Sequence, residues 1–257
     1  MAEAEPVLLR GEGISVQFGG LRALRNVTFE LREGEIVGLI GPNGAGKTTL
    51  FNAIGGQLRL TSGRLVFQER EITRRPAHEI CKLGINRTYQ TVRPFLGFTA
   101  VENVLVGRYF GSPDGGTARQ SARRAAEEIL DLVGLGDKRD VPARHLTLAE
   151  RKLVELARAL ATQPRLLLLD EILAGLGEAE AARVLALMER LRSQFKITLF
   201  WVEHIMRSLM EVCHRVLVLH HGEKIAEGSP RQVVADRRVV EAYLGAERKR
   251  GRASARG

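Results

Sequence analysis

The residues Gly41-Pro42-Asn43-Gly44-Ala45-Gly46-Lys47-Thr48 follow the apolar run Ile36-Val37-Gly38-Leu39-Ile40. A short run that is apolar on both faces reads as a buried parallel strand. The pattern G-x-x-x-x-G-K-[ST], set between such a strand and a helix, is a phosphate cradle. Its glycines at 41, 44 and 46 let backbone N–H groups converge on phosphate oxygens. The helix that starts at Lys47 adds the partial positive charge of its N-terminus. Lys47 can reach the β- and γ-phosphates, and Thr48 can offer a hydroxyl to Mg²⁺. Few chains can carry this element outside an α/β sheet, so it limits the fold before any other feature is read.

The rest of the chain agrees with that limit. Residues 7–36 are β-rich with glycine-containing turns: Val7–Leu9, Ile14–Phe18 and Val27–Leu31, with Arg64–Phe67 as a further short strand. From about Phe98 to Thr162 the pattern turns helical. Thr99 precedes one helix, Gly111–Gly116 reads as a loop, and Thr117–Val133 as a long polar-faced helix. Leu153, Leu156, Ala157 and Leu160 fall at i, i+3, i+4, i+7 on another. Then β/α alternation resumes: strands at Leu166–Leu169, Ile197–Val202 and Val216–Leu219, helices at Glu178–Ser193 and Ile205–Val212, and two short helices near Gln232 and Val240. This alternation predicts a mostly parallel sheet covered on both faces, with the helical block inserted between its early and late strands.

Two strand ends carry candidate chemistry. Leu166–Leu169 runs into Asp170 and Glu171, which places a carboxylate at the C-terminal edge of the sheet, where ligands bind. Asp170 would hold Mg²⁺, largely through water, and Glu171 would polarise an attacking water as general base. Trp201-Val202-Glu203-His204 ends another strand, and His204 there could hydrogen-bond the γ-phosphate or that water. His220-His221 reads as a solvated turn.

Composition excludes several alternatives. The 257 residues are 44% hydrophobic and 27% charged, which suits one large core with a subdomain. No apolar stretch approaches a membrane span. The acidic start Met1–Pro6 lacks a signal-peptide core, which predicts a cytoplasmic chain held at a membrane only by partners. Cys81 and Cys213 stand apart and read as reduced thiols. Nearly half of the net charge of +9 sits in the segment 247–257, with five basic residues against one acidic. That segment is predicted to be disordered, and it has no aromatic residues for base stacking.

The order of these elements resembles an ABC-type ATPase. It runs from phosphate loop to Tyr89-Gln90, helical insert, Leu146-Thr147-Leu148-Ala149-Glu150-Arg151, Asp170-Glu171 and His204, and covers the chain to about Ala246. Phe18–Leu24, Arg87–Gln90, Phe98–Val104 and Glu241–Gly245 are similar to the ATPase subunits of branched-chain amino acid importers. The resemblance implies an α/β P-loop NTPase domain over 1–246. It would have a mostly parallel core sheet, an N-terminal antiparallel β-subdomain and a helical subdomain inserted at about 98–162. It implies ATP and Mg²⁺ as ligands, with Thr49 joining residues 41–48 at the nucleotide, Phe18 stacking on adenine, and Gln90 contacting Mg²⁺ and the attacking water. It also implies a head-to-tail dimer, with a second copy or a paralogue. There Thr147, Ala149 and Glu150 of one subunit face the nucleotide of the other.

Two departures from the family pattern stand out. Where L-S-G-G-Q is common, this chain has Leu146-Thr147-Leu148-Ala149-Glu150. Thr147 keeps a hydroxyl, the glycines are gone, and Thr147-x-x-Glu150 also fits a helix capping box. Unless that cap turns it away, the Glu150 carboxylate should weaken the ATP sandwich. After Glu171, Ile172 stands where proline is usual, and Ala174–Gly177 lacks a closing Asp. The function implied is the energy-coupling ATPase of a membrane importer for branched-chain amino acids or related polar solutes such as amides or urea. It would sit at the cytoplasmic face of the inner membrane with two permease subunits and, indirectly, a solute-binding protein. The alternatives are the ATPase of a lipopolysaccharide-export complex and a soluble ABC ATPase acting on nucleic acid.

Overall fold

The computed structural model describes residues 5–89, 91–112, 119–203 and 206–243. Gln90, His204 and the basic segment 247–257 lie outside them. The chain divides into two compact units, residues 1–74 with 200–257, and residues 75–199.

In the first unit, β1 (Val7–Phe18) and β2 (Leu21–Arg32) form a long hairpin, closed by Gly19-Gly20. The sequence suggested two strands where β1 runs unbroken, because its glycines read as turns. They sit instead at register shifts, near Gly11 and Ile14, where a strand bends without ending. After β3 (Ile36–Ile40) and α1 (Lys47–Ile54) come β4 (Ser62–Phe67) and β5 (Arg70–Glu71), and the antiparallel sheet has the order β2-β1-β4-β5.

The second unit begins with α2 (Ala77–Leu83), β6 (Ile85–Arg87), α3 (Ala100–Gly111) and α4 (Arg119–Leu132). It continues through α5 (Leu148–Leu160), β7 (Leu166–Asp170) and α6 (Glu178–Phe195). Strands β6 and β7 pair in parallel, Ile85 opposite Leu166 and Arg87 opposite Leu168. The helices α3, α4 and α5 pack on one another. Thr99 caps α3: its hydroxyl accepts from the Glu102 amide (3.3 Å), and Glu102 accepts from the Thr99 amide (2.8 Å). Neither α2 nor β6 is evident from sequence, since each is too short to establish a period.

Strand β8 (Thr198–Val202) crosses into the first unit, followed by α7 (Met206–Val212), β9 (Arg215–His220), β10 (Glu223–Gly228) and α8 (Pro230–Ala235). Here the strand order is β10-β9-β3-β8. Strand β9 runs parallel to β3 and antiparallel to β10. The polar strand β10, Glu-Lys-Ile-Ala-Glu-Gly, has no apolar alternation, and only its edge position makes it a strand. All five residues of β3 are buried. Phe200 packs between Phe29 (ring centroids 5.9 Å) and Phe51 (5.2 Å). Burying each such ring contributes about 1.5–3 kcal/mol, so this cluster fixes the sheet beneath the glycine loop.

Candidate functional site

The glycine loop is built by backbone. Gly41 takes φ 154°, and a Cβ there would overlap the Leu219 carbonyl oxygen at the end of β9. Gly46 precedes α1 at φ 107°, and its Cβ would stand 2.7 Å from the Ala23 carbonyl oxygen. Only glycine fits either position. Between them the Ala45 amide donates to Pro42 (3.1 Å), and the Gly222 amide donates to Ala45 (3.0 Å). The β9–β10 turn thus buttresses the loop from below.

Lys47 is 7% exposed, and its Nζ donates to the carbonyls of Gly41 (2.6 Å) and Pro42 (3.2 Å). Its ammonium is therefore folded over the loop. Helix α1 has no side-chain cap and no acidic residue in its first turn. A buried cation, an uncapped helix start and the exposed residues Asn43 and Gly44 fit a polyanion. Thr48, next in the chain to Lys47, is exposed. Phe18 ends β1 with its ring 48% exposed, as a stacking platform must be.

In the second unit, β7 is buried throughout and delivers Asp170 at 4% exposure. The Arg87 Nη2 donates to Asp170 Oδ2 at 2.6 Å, and both side chains are buried. The Asp170 amide donates to the Thr88 hydroxyl (3.3 Å), while the Thr88 amide donates to Leu168 (2.9 Å). Sequence reasoning gave Arg87 no role; an arginine ending a three-residue strand carries little signal. A carboxylate oxygen is a hard donor, and Asp170 is of the kind that Mg²⁺ takes while keeping most of its waters.

Glu171 follows at φ 51°, a left-handed backbone that non-glycine residues rarely take. The loop after it is held by Lys152. That side chain is 7% exposed, and its Nζ donates to the carbonyls of Glu171 (3.1 Å), Ile172 (3.2 Å) and Ala174 (2.5 Å). One turn along α5, Glu155 is 3% exposed and accepts from the Tyr89 amide (3.0 Å). Burial pushes its carboxyl above the usual range, against amides at 89 and 93 that favour the charged form. The apolar stripe expected on α5 is therefore too narrow. Leu156, Ala157 and Leu160 are buried and Leu153 is half-buried, but Lys152 and Glu155 are buried with them. Their positions, three apart and in line with Leu156 and Ala159, were the available signal.

Helix α5 begins in the capping box that the sequence allowed. The Thr147 hydroxyl accepts from the Glu150 amide (3.2 Å), and Glu150 accepts from the Thr147 amide (2.8 Å). Lys138 adds an ion pair to Glu150 at 3.0 Å, a partner that sequence reasoning did not find. The Thr147 amide, with Lys138, holds the Glu150 carboxyl below its ordinary value. The carboxylate is thus tied to its own helix start. Ala149, between them, is half-buried and lines a cavity of about 480 Å³ with Leu153, Leu176, Val184 and Leu187.

Further along the same unit, Phe95 and Phe98 pack ring against ring at 5.4 Å. They stay 46% and 45% exposed, with Leu96 between them at 49%. No helix among the described residues is long and apolar enough to cross a membrane. Cys81 and Cys213 are free thiols, as the sequence suggested.

The phosphate loop and the acidic strand end define a P-loop nucleoside triphosphatase. The family described as ABC transporter matches residues 24–174, and one described as branched-chain amino acid ATP-binding cassette transporter matches residues 223–249. The chain belongs to the ABC transporter ATP-binding family and is an ATPase of that class. It is 38% identical to the high-affinity branched-chain amino acid transport ATP-binding protein LivG of Salmonella typhimurium, covering 93% of this chain and 98% of the relative. To BraF of Pseudomonas aeruginosa, described in the same words, it is 35% identical over the same shares. Among solved structures, a nucleotide-free ATP-binding cassette from an ABC transporter superposes with a TM-score of 0.84 at 31% identity, covering 93% of this chain and 99% of that one. The ADP conformation of the cassette MJ1267 gives 0.83 at 32% over the same shares.

Proposed function

We propose that this chain hydrolyses ATP to drive a membrane importer for branched-chain amino acids or closely related small polar solutes. The observation that carries the reading is the match of residues 223–249 to the branched-chain cassette family, together with near full-length similarity to LivG and BraF.

The chemistry follows from the residues described. The backbone N–H groups of 41 and 43–48, Pro42 having none, and the Lys47 ammonium bind the triphosphate, and Thr49 extends that contact. Phe18 offers its exposed ring to the adenine. Thr48 and Asp170 hold magnesium, with Arg87 fixing the Asp170 carboxylate in place. When bound, magnesium supplies neutralisation of the charge on the β- and γ-phosphates. Glu171 polarises the attacking water, and the proton moves to its carboxylate. Gln90 is assigned to magnesium and that water by the family resemblance, and His204 to the γ-phosphate or the water by its place at a strand end and the order of the motifs.

A second ATPase subunit completes each site, with Thr147, Ala149 and Glu150 of one chain facing the triphosphate of the other. A related cassette, MJ0796, is described as dimeric in a post-hydrolysis state bound to ADP and Pi; it is 25% identical and superposes with a TM-score of 0.78. ATP binds across the closed pair and so favours it over the open one. The helical region at about 98–162, with the half-exposed Phe95, Leu96 and Phe98, presents the surface for two permease subunits at the cytoplasmic face of the membrane.

The reading is tested by co-purification with candidate branched-chain amino acid permeases and reconstitution in vesicles with a solute-binding protein. ATP-dependent uptake of labelled leucine supports it. Normal ATP turnover without uptake of any branched-chain or amide solute defeats the importer assignment.

A further inference from the structure

Helix α5 starts at the segment assigned to the partner's nucleotide, and it carries two buried ions on its inner face. Lys152 and Glu155 are three residues apart, so they project to the same side. Both hold backbone, beside the attraction that Arg158 and Lys152 exert on the Glu155 carboxylate. An ammonium has three N–H donors and no acceptor, and Lys152 directs three hydrogen bonds to the carbonyls of Glu171, Ile172 and Ala174. A carboxylate only accepts, and Glu155 takes the amides of Tyr89 and Arg93, which flank positions 90–92. Arg158, one residue short of a further turn, donates to the Arg93 carbonyl at 3.2 Å.

The two loops held in this way follow β7 and β6. One carries Glu171, and the other is held at Tyr89 and Arg93, on either side of Gln90 in the sequence. Glu171 has a left-handed backbone, a conformation that persists only where surroundings hold it. Those surroundings include the Lys152 ammonium, which holds the carbonyl of Glu171 and those of Ile172 and Ala174 after it. The packing leaves little slack: a cavity of about 10 Å³ lies among Lys152, Glu155, Asp170 and Glu171, at the lower bound for a single water. A shift of α5 therefore pulls on the Glu171 loop and on the backbone at Tyr89 and Arg93.

We propose that Lys152 and Glu155 are positioning residues for hydrolysis, tying the helix that begins at Thr147 to the loop that carries Glu171 and to the loop that carries Gln90. The inference rests on the assignment of Glu171 as general base. It adds a route by which occupancy of the interface at Thr147 reaches the water-activating group. It also accounts for a loop that has Ile172 in place of the usual proline: the backbone rigidity comes from a lysine one element away.

The test uses the full-length chain with Mg·ATP and three readouts: kcat, nucleotide affinity, and amide hydrogen exchange at residues 89, 93 and 171–176. Lys152→Met keeps the bulk of the stem and removes the donors. Misplacing a reacting group by about 1 Å costs on the order of 100-fold, so kcat should fall ~10- to 100-fold while affinity for a non-hydrolysable ATP analogue stays within about twofold. Exchange should quicken at 171–176. Glu155→Gln keeps one acceptor oxygen and should lose less, with faster exchange at Tyr89 and Arg93. The swap K152E/E155K discriminates further. If the pair matters only as opposite charges on one helix, the swap restores turnover. If each ion serves backbone of fixed polarity, the swap is no better than either single variant.

A kcat within about twofold of wild type in Lys152→Met, with unchanged exchange at 171–176, overturns the proposal while Glu171→Gln is inactive. Turnover that survives in Glu171→Gln overturns the assignment of the base, and the inference falls with it. Restored turnover in the swap also overturns it, in favour of a simple ion pair.

Discussion

The loop at 41–48 and the loop at 170–177 both follow a buried parallel strand, yet they are held in opposite ways. The first is specified by what is missing. Gly41 and Gly46 sit where a Cβ would strike the carbonyls of Leu219 and Ala23, and the loop's shape follows from backbone contacts around that absence. The second is specified by charged side chains. Arg87 grips Asp170, and Lys152 grips three carbonyls after it. A loop defined by absence tolerates no addition, whereas a loop defined by clamps is lost by deletion. The first should therefore fail in binding, and the second in turnover or stability.

The largest effect separates the two on turnover. Glu171→Gln should lower kcat by about 10²–10⁴-fold, the span of a general base, with nucleotide affinity kept. Sizing by scattering in Mg·ATP should find this variant as a stable dimer, and a monomer at saturating ATP would break the proposed sandwich. Next comes the clamp itself. Arg87→Met leaves a buried carboxylate without its counter-charge, and breaking such a pair costs about 3–5 kcal/mol. Urea unfolding of Arg87→Met and of R87M/D170N measures it; the double variant should recover much of the loss. If both are equally unstable, packing rather than charge is the cause.

On the glycine side, Gly41→Val introduces strain of about 1–3 kcal/mol, which is roughly ten- to hundredfold in affinity if borne by binding. Equilibrium titration with ADP checks it; unchanged affinity would show that the loop can yield. The smallest effect is at the helix start. Thr147→Ala should cost about 1 kcal/mol by removing the cap. Its pH dependence has a defined sign. The Glu150 carboxyl is held below its ordinary value of 4.5, chiefly by the Thr147 amide. Its stabilising contribution is thus complete above that value and is lost as pH falls through the lowered one. Wild type should lose melting temperature on acidification in that range, and Glu150→Gln should lose less.

The glycine loop, strand β7 and the order of β and α elements were legible because each rests on local pattern: a run apolar on both faces, a glycine spacing, a helical period. The capping box at Thr147 was legible for the same reason, as four consecutive residues contain all of it. The clamps were not. Arg87 and Asp170 meet across 83 positions of sequence, and Lys152 works on carbonyls, which every residue carries and no sequence distinguishes. Strand β10 was missed because its pairing with β9, not its composition, makes it a strand. Phe18 was assigned through resemblance, and its exposure on a hairpin end is what such a role requires.

The start of α5 binds Lys138, Thr147 and Glu150 into one unit: hydroxyl to amide, carboxylate to amide, ammonium to carboxylate. None of the three can be exchanged alone without stranding its neighbours. Drift in this branch should therefore proceed by concerted replacement, so that chains restoring glutamine at 150 also abandon the lysine at 138. The ancestry of the divergent motif would then be recorded twelve residues upstream of it.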